Sequence, residues 1–199
     1  LYADPYNLVI FPDNHDMTRF FTQVNNDMDL FKMGIVFYAT MRGIPQFFYG
    51  TEILMDSNKS PGSHGLIRSD FPGGWPGDEV NAFTRKGLTK DQIQTLDFFK
   101  KILNWRKSNE VIHHGKLIQF APKPKGWEEI YSYYRTYKGK RVWVIFNRVN
   151  RIQTIDLGRY SQAFHGFSEG YEVLEDKVIQ LKNELEIKGK SVMVIELNP

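Results

Sequence analysis

Residues 8–16 read Leu8-Val9-Ile10-Phe11-Pro12-Asp13-Asn14-His15-Asp16: four apolar residues that stop at a proline and turn at once into two carboxylates, an amide and an imidazole. A continuous apolar run with no polar alternation predicts a strand buried on both faces, the habit of parallel sheets covered by helices. In (β/α)8 barrels the side chains that do chemistry sit at the C-terminal ends of such strands, which is where this polar cluster falls. The same residues also suit a plainer role, with Asp13 or Asn14 capping a turn and His15 a satisfied buried histidine.

Outward from this stretch, apolar residues recur at helical spacing from about Asp27 to Met41 (Met28, Phe31, Gly34/Ile35, Tyr38, Met41), with Asp27 and Asp29 at the end a helix dipole favours. Arg42-Gly43 stops that helix, and Ile44-Pro45-Gln46-Phe47-Phe48-Tyr49 predicts a second buried strand ending at Gly50-Thr51-Glu52. Residues 56–87 are rich in Gly, Pro, Ser and Asn without periodicity, and a loop that long inside a compact domain is usually functional or a linker. Thr89-Lys90-Asp91-Gln92 is a capping box, heading a helix through Ile93, Leu96, Phe99, Ile102, Leu103 and Arg106 to about Asn109. From about Lys116 the period becomes that of strands: Lys116–Phe120, Ile130–Tyr137, Val142–Phe146, Ile152–Leu157, Tyr171–Val173, Glu184–Ile187 and Ser191–Leu197. Lys138-Gly139-Lys140 and Lys188-Gly189-Lys190 are turn signals between such runs. The predicted fold class is therefore α/β plus all-β: 1–110 an α/β portion, 111–199 an antiparallel β-sandwich or small barrel. Two βα units cannot close a barrel or complete a doubly wound sheet. The expectation is that the sheet is completed elsewhere, or that the chain is part of a longer protein.

The 199 residues, 41% hydrophobic and 25% charged, exclude intrinsically disordered and low-complexity classes. A net charge of +3, evenly spread, is too small for the electrostatic footprint of a nucleic-acid binder. The absence of cysteine removes disulfide scaffolds, thiolate metal sites and thiol nucleophiles together. The longest apolar run, near Met33–Met41, falls well short of the ~20 residues that span a bilayer, and no signal peptide is legible at Leu1. Aromatic residues make up 15% of the chain; rings that escape the core give flat apolar platforms of the kind sugars and peptides use.

Three motifs in order carry a resemblance. Phe11-Pro12-Asp13-Asn14-His15-Asp16 resembles the fourth signature region of the α-amylase family, glycoside hydrolase family 13, at the end of barrel strand seven. Gly43-Ile44-Pro45-Gln46-Phe47-Phe48-Tyr49-Gly50-Thr51-Glu52 resembles that family's strand eight, and Ile67-Arg68-Ser69-Asp70-Phe71-Pro72-Gly73-Gly74-Trp75-Pro76-Gly77-Asp78 is similar to a loop of its neopullulanase and cyclomaltodextrinase branch. The resemblance implies the C-terminal part of a TIM (β/α)8 barrel, strands seven and eight with their helices, followed by the family's C-terminal β domain. It further implies a retaining hydrolase of α-glucans such as starch or pullulan fragments, acting on α-1,4 and in some cases α-1,6 glucosidic bonds. Retaining enzymes use two carboxyl groups about 5 Å apart. In the family these follow strands four and five, in the missing N-terminal part of the barrel, upstream of Leu1, so this chain alone is expected to be inactive.

By the same resemblance Asp16 is the family's third catalytic carboxylate, a transition-state stabiliser that hydrogen-bonds sugar hydroxyls and keeps a neighbouring acid/base protonated. His15 matches a substrate-binding histidine, and Asn14 shapes the turn. Arg19 either orients a carboxylate or pairs at the surface. Arg68 and Asp70 match outer-subsite residues that bind sugar hydroxyls, with a salt bridge as the plainer alternative. Trp75 either stacks on a glucose face or packs under the C-terminal domain, and packing is the preferred reading. His64 is read as a lone exposed histidine, and His113-His114 lack spaced carboxylates, so no metal is assigned. No cofactor is expected, although some family members bind calcium, mostly through regions outside this chain. The family is commonly periplasmic or extracellular. Two alternatives stand beside hydrolysis: a transglycosylase or isomerase on the same scaffold, and a noncatalytic carbohydrate-binding or structural relative.

Overall fold

The apolar run at the start forms only a two-residue strand, β1 (Val9–Ile10), in the computed structural model, which describes residues 2–121 and 129–198. It pairs in parallel with β2 (Ile44–Pro45), Val9 opposite Ile44 and Ile10 opposite Pro45. Among the described residues neither strand has a second neighbour. Burial on both faces is therefore not what the structure shows: Val9 and Ile44 are each 51% exposed. The predicted run to Tyr49 also stops early, because beyond the bond from Gln46 N to Ile10 O no ladder bond among the described residues continues it. Gly50 then turns the chain in the left-handed region, φ +86°, into a 3-10 turn at Thr51–Ile53.

The chain divides into two units, Leu1–Ala39 with Gly43–Asn104 and Thr40–Arg42 with Trp105–Pro199. In the first, α1 (Phe20–Gln23) leads through two left-handed asparagines, Asn25 and Asn26, into α2 (Met28–Thr40). Asp27 caps α2 by accepting from Asp29 N and Leu30 N at 3.0 and 3.1 Å. Phe31, Ile35, Val36 and Ala39 on this helix are fully buried, and the Phe20 ring packs where a side chain at Gly34 would stand. Gly43 ends the segment with φ +110°, and a Cβ there would meet Leu8 O at 2.7 Å, so both conformation and space require glycine. The long loop contains one short helix, α3 (His64–Ile67), capped by Ser63, whose hydroxyl accepts from Leu66 N. The capping box forms as its sequence predicts: Thr89 N donates to Gln92 Oε1 at 2.9 Å and Gln92 N to Thr89 Oγ1 at 3.2 Å. It heads α4 (Lys90–Ser108), whose Phe99 meets the rings of Phe31 and Phe47.

In the second unit, the end of α4 is followed by a helix the spacing does not suggest, α5 (Glu110–His114), capped by Asn109. An antiparallel sheet follows in the order β3 (Lys116–Gln119), β4 (Ile130–Tyr137), β5 (Lys140–Asn147), β10 (Ser191–Leu197), β7 (Glu169–Glu172), β8 (Lys177–Gln180). A second pair, β6 (Gln153–Asp156) with β9 (Glu184–Ile187), supplies Ile155 and Ile187 to the same core as Trp143, Ile145, Ile195 and Leu197. This two-layer antiparallel arrangement is the expected β architecture. Each such fully buried side chain contributes about 1.5–3 kcal/mol of apolar transfer. Between β6 and β7 a 3-10 turn and α6 (Ser161–Phe164) add Leu157, Tyr160 and Ala163 to that core. Lys138 and Gly139, both at positive φ, close the β4–β5 hairpin in two residues, the geometry a Lys-Gly-Lys signal serves. Buried polar groups tie Thr40 to β4: Tyr133 Oη meets Thr40 Oγ1 at 2.6 Å, and Arg135 Nη1 donates to Thr40 O at 3.0 Å.

Candidate functional site

Just past β1 the chain makes a polar turn. Asn14 Oδ1 accepts from Asp16 N at 2.9 Å and Asn14 O from Met17 N at 3.2 Å, so Asn14 shapes the turn as its sequence suggests. The two carboxylates on either side meet opposite fates. Asp13 is fully buried, with Oδ2 accepting from Phe20 N at 2.8 Å at the start of α1 and from Thr51 Oγ1 at 3.3 Å. Burial raises its pKa above the ordinary carboxylate value, against the opposing pull of those bonds and of Arg19. Asp16, by contrast, stands in solvent with 58% of its side chain exposed.

Three side chains converge on Asp16. His15 Nε2 lies 3.1 Å from Oδ2, while Arg68 Nη2 donates to Oδ1 at 2.7 Å. The same guanidinium donates from Nε to His15 O at 3.0 Å. His64 Nδ1 lies 3.2 Å from Arg68 Nη2 and 3.7 Å from Asp16 Oδ1. The arrangement is an exposed carboxylate fixed at both oxygens and flanked by two imidazoles, a set of donors and acceptors suited to polar, hydroxyl-bearing ligands.

The structure brings His15, Asp16 and Arg68 together and leaves the other two predicted site residues apart. Asp70 is exposed, and Arg68 pairs with Asp16 rather than with it. Trp75 is 63% exposed; its backbone N donates to Asp78 Oδ2, which also accepts from Gly73 N and holds the turn. His64 is exposed, as its sequence suggests, but it is not alone: it engages Arg68, and the signal for this is its spacing four residues before that arginine, behind a serine cap.

Arg19 is not a surface residue. It is fully buried, stacked 4.3 Å from the Phe48 ring and 4.8 Å from that of Tyr49, and Nη1 donates to Tyr49 O. Its Nε and Nη2 are buried without a hydrogen-bond partner. Desolvation lowers its pKa, and the charge of Asp13 is the largest influence holding it up. No group of three or more histidine, cysteine or acidic side chains able to hold a metal converges among the described residues, and none of their helices is long and apolar enough to cross a membrane.

The family described as the cyclo-malto-dextrinase C-terminal domain matches residues 117–196. A cyclomaltodextrinase of Thermoanaerobacter pseudethanolicus is 25% identical over 158 residues, 78% of this chain and 24% of that protein. A cyclomaltodextrin glucanotransferase of Bacillus licheniformis is 31% identical over 145 residues, 72% of this chain and 16% of that protein. The crystal structure of an α-amylase from Geobacillus thermoleovorans complexed with acarbose superimposes with a TM-score of 0.74 at 22% identity, covering 100% of this chain and 40% of that one. The chain thus spans about a quarter of the first of these relatives and 40% of the solved structure.

Proposed function

We propose that this chain, a member of the α-amylase family with a cyclo-malto-dextrinase C-terminal domain over residues 117–196, belongs to a longer enzyme that hydrolyses α-glucans with retention at the anomeric carbon. In this reading residues 1–110 are the C-terminal portion of a (β/α)8 barrel containing strands seven and eight, and 111–199 are the C-terminal β domain. The observation that carries it is the exposed His15–Asp16 pair at the C-terminal end of a strand lying parallel to its neighbour. Asp16 accepts hydrogen bonds from hydroxyls of the sugar whose bond is broken, and these strengthen as the ring flattens toward the oxocarbenium-like transition state. His15 donates to the same sugar. The nucleophile and acid/base come from other parts of the protein, so the present chain alone turns nothing over. Bonds of the α-1,4 type are the expected substrate, with α-1,6 bonds as an extension and starch or pullulan fragments as sources. Trp75 is a candidate platform for a glucose face and Asp70 a candidate outer contact. The setting is periplasmic or extracellular.

Transfer to a sugar acceptor instead of water is the second reading, favoured by the likeness to a cyclomaltodextrin glucanotransferase. The deciding experiment expresses the complete reading frame and follows products from maltooligosaccharides, pullulan and cyclodextrins. Release of glucose, maltose or panose with no longer products supports hydrolysis, whereas chain lengthening or ring formation supports transfer. No cleavage of any of these substrates would overturn both readings and leave a noncatalytic scaffold.

A further inference from the structure

The Arg68 guanidinium, on a side chain 47% exposed, engages the polar turn through Nε and Nη2. Nη2 donates to Asp16 Oδ1 at 2.7 Å and Nε to His15 O at 3.0 Å, so one planar fork grips two consecutive residues of that turn. His64 stands behind it, 3.2 Å from Nη2. At the other end of the same segment Thr18 Oγ1 donates to Pro61 O at 2.9 Å. Residues 61–68 are thereby fastened at both ends to residues 15–18. A lone exposed ion pair would do little, but a fork with two bonds fixed by its own planarity sets a direction as well as a distance.

We infer that Arg68, backed by His64, is a positioning residue that aims the Asp16 carboxylate, and not an outer contact for sugar. This rests on the reading of Asp16 as a group that binds substrate. Positioning and binding differ in what their loss does. An outer contact helps ground state and transition state alike, and more for longer substrates, whereas an aiming group matters in the transition state whatever the chain length.

The test compares Arg68→Met, Arg68→Lys and His64→Ala in the enzyme from the complete reading frame, on maltotriose through maltoheptaose. Arg68→Met should lower kcat by roughly 10²-fold, the cost of a misplaced group near the chemistry, with KM little changed and the loss equal for short and long substrates. Arg68→Lys should recover only part, since an ammonium cannot make both bonds from one plane, and His64→Ala should lower kcat less than Arg68→Met. A rise in KM that deepens with chain length, at unchanged kcat, would overturn the inference. Amide hydrogen exchange of the same protein from the complete reading frame supplies a readout that needs no catalysis: Arg68→Met should speed exchange in 63–68 and at Asp16 and Met17 together. Unchanged exchange there overturns the coupling even if the enzyme cleaves glucans. Faster exchange in an enzyme that cleaves none supports the coupling and overturns the proposed function instead.

Discussion

Asp13 and Arg19 are a fully buried acid and base that depend on one another, the carboxylate raised in pKa by its burial and the guanidinium lowered by its own. A carboxyl whose folded pKa exceeds its value of 3.8 in the open chain binds its proton more tightly when folded. Its contribution to stability is therefore present below 3.8 and lost as pH rises through the folded value. Urea unfolding of the wild type and of Asp13→Asn at a series of pH values should show the wild type losing stability relative to the variant as pH climbs from 3.8 toward neutrality. A difference independent of pH would refute the assignment.

Asp16 should behave in the opposite way, as a residue for activity and not for folding. Its side chain is 58% exposed, and an exposed ion pair contributes about 0–1 kcal/mol. In the complete enzyme Asp16→Asn should leave the unfolding midpoint nearly unchanged while lowering kcat by roughly 10²-fold or more, the usual cost of a lost transition-state hydrogen bond. Near-normal turnover would remove Asp16 from the mechanism.

Asn147 tests the β unit. It is fully buried at the end of β5, and its Nδ2 donates toward three carbonyls, those of Arg151, Ile187 and Lys188, at 2.8, 3.2 and 2.8 Å. Asn147→Asp preserves shape but turns a donor into a charge facing three acceptors. The expected cost is at least about 3 kcal/mol at neutral pH, read as a drop in the midpoint of thermal or urea unfolding that shrinks on acidification. An unfolding midpoint equal to wild type would mean that these bonds do not form.

The capping box makes a smaller and cleaner prediction. Thr89→Ala removes the hydroxyl that accepts from Gln92 N, and should destabilise the chain by about 1 kcal/mol. Thr89→Ser should restore it. Loss of the same size in both variants would point to the methyl group instead.

How far these features are legible in the sequence depends on whether local chemistry decides them. Asp27, Thr89 and Gln92 act within three residues of themselves, and both helices start where those side chains say. Lys138-Gly139 likewise carries its hairpin in its own backbone preferences. The two runs at 8–11 and 44–49 read as longer and more buried strands than they are, since apolar content reports a tendency to be covered while a strand's length is set by the neighbour it pairs with. Strand β8 escapes a reading by pattern because Lys177, Val178 and Gln180 are exposed at a sheet edge, where little alternation is needed. At the candidate site His15 and Asp16 stand out by adjacency alone. The bonds from Arg68 to the turn span some fifty residues, and the burial of Arg19 depends on the rings of Phe48 and Tyr49, so spacing along the chain announces neither.

The parallel pair of β1 and β2 has a practical meaning for anyone handling this polypeptide. Val9 and Ile44 lie side by side, half bare, on strands whose outer backbone groups have no partner strand among the described residues. Open apolar edges of this kind recruit other strands. Purified by itself, the polypeptide should grow turbid with concentration and warmth, and a lysine in place of Val9 or Ile44 should keep it clear.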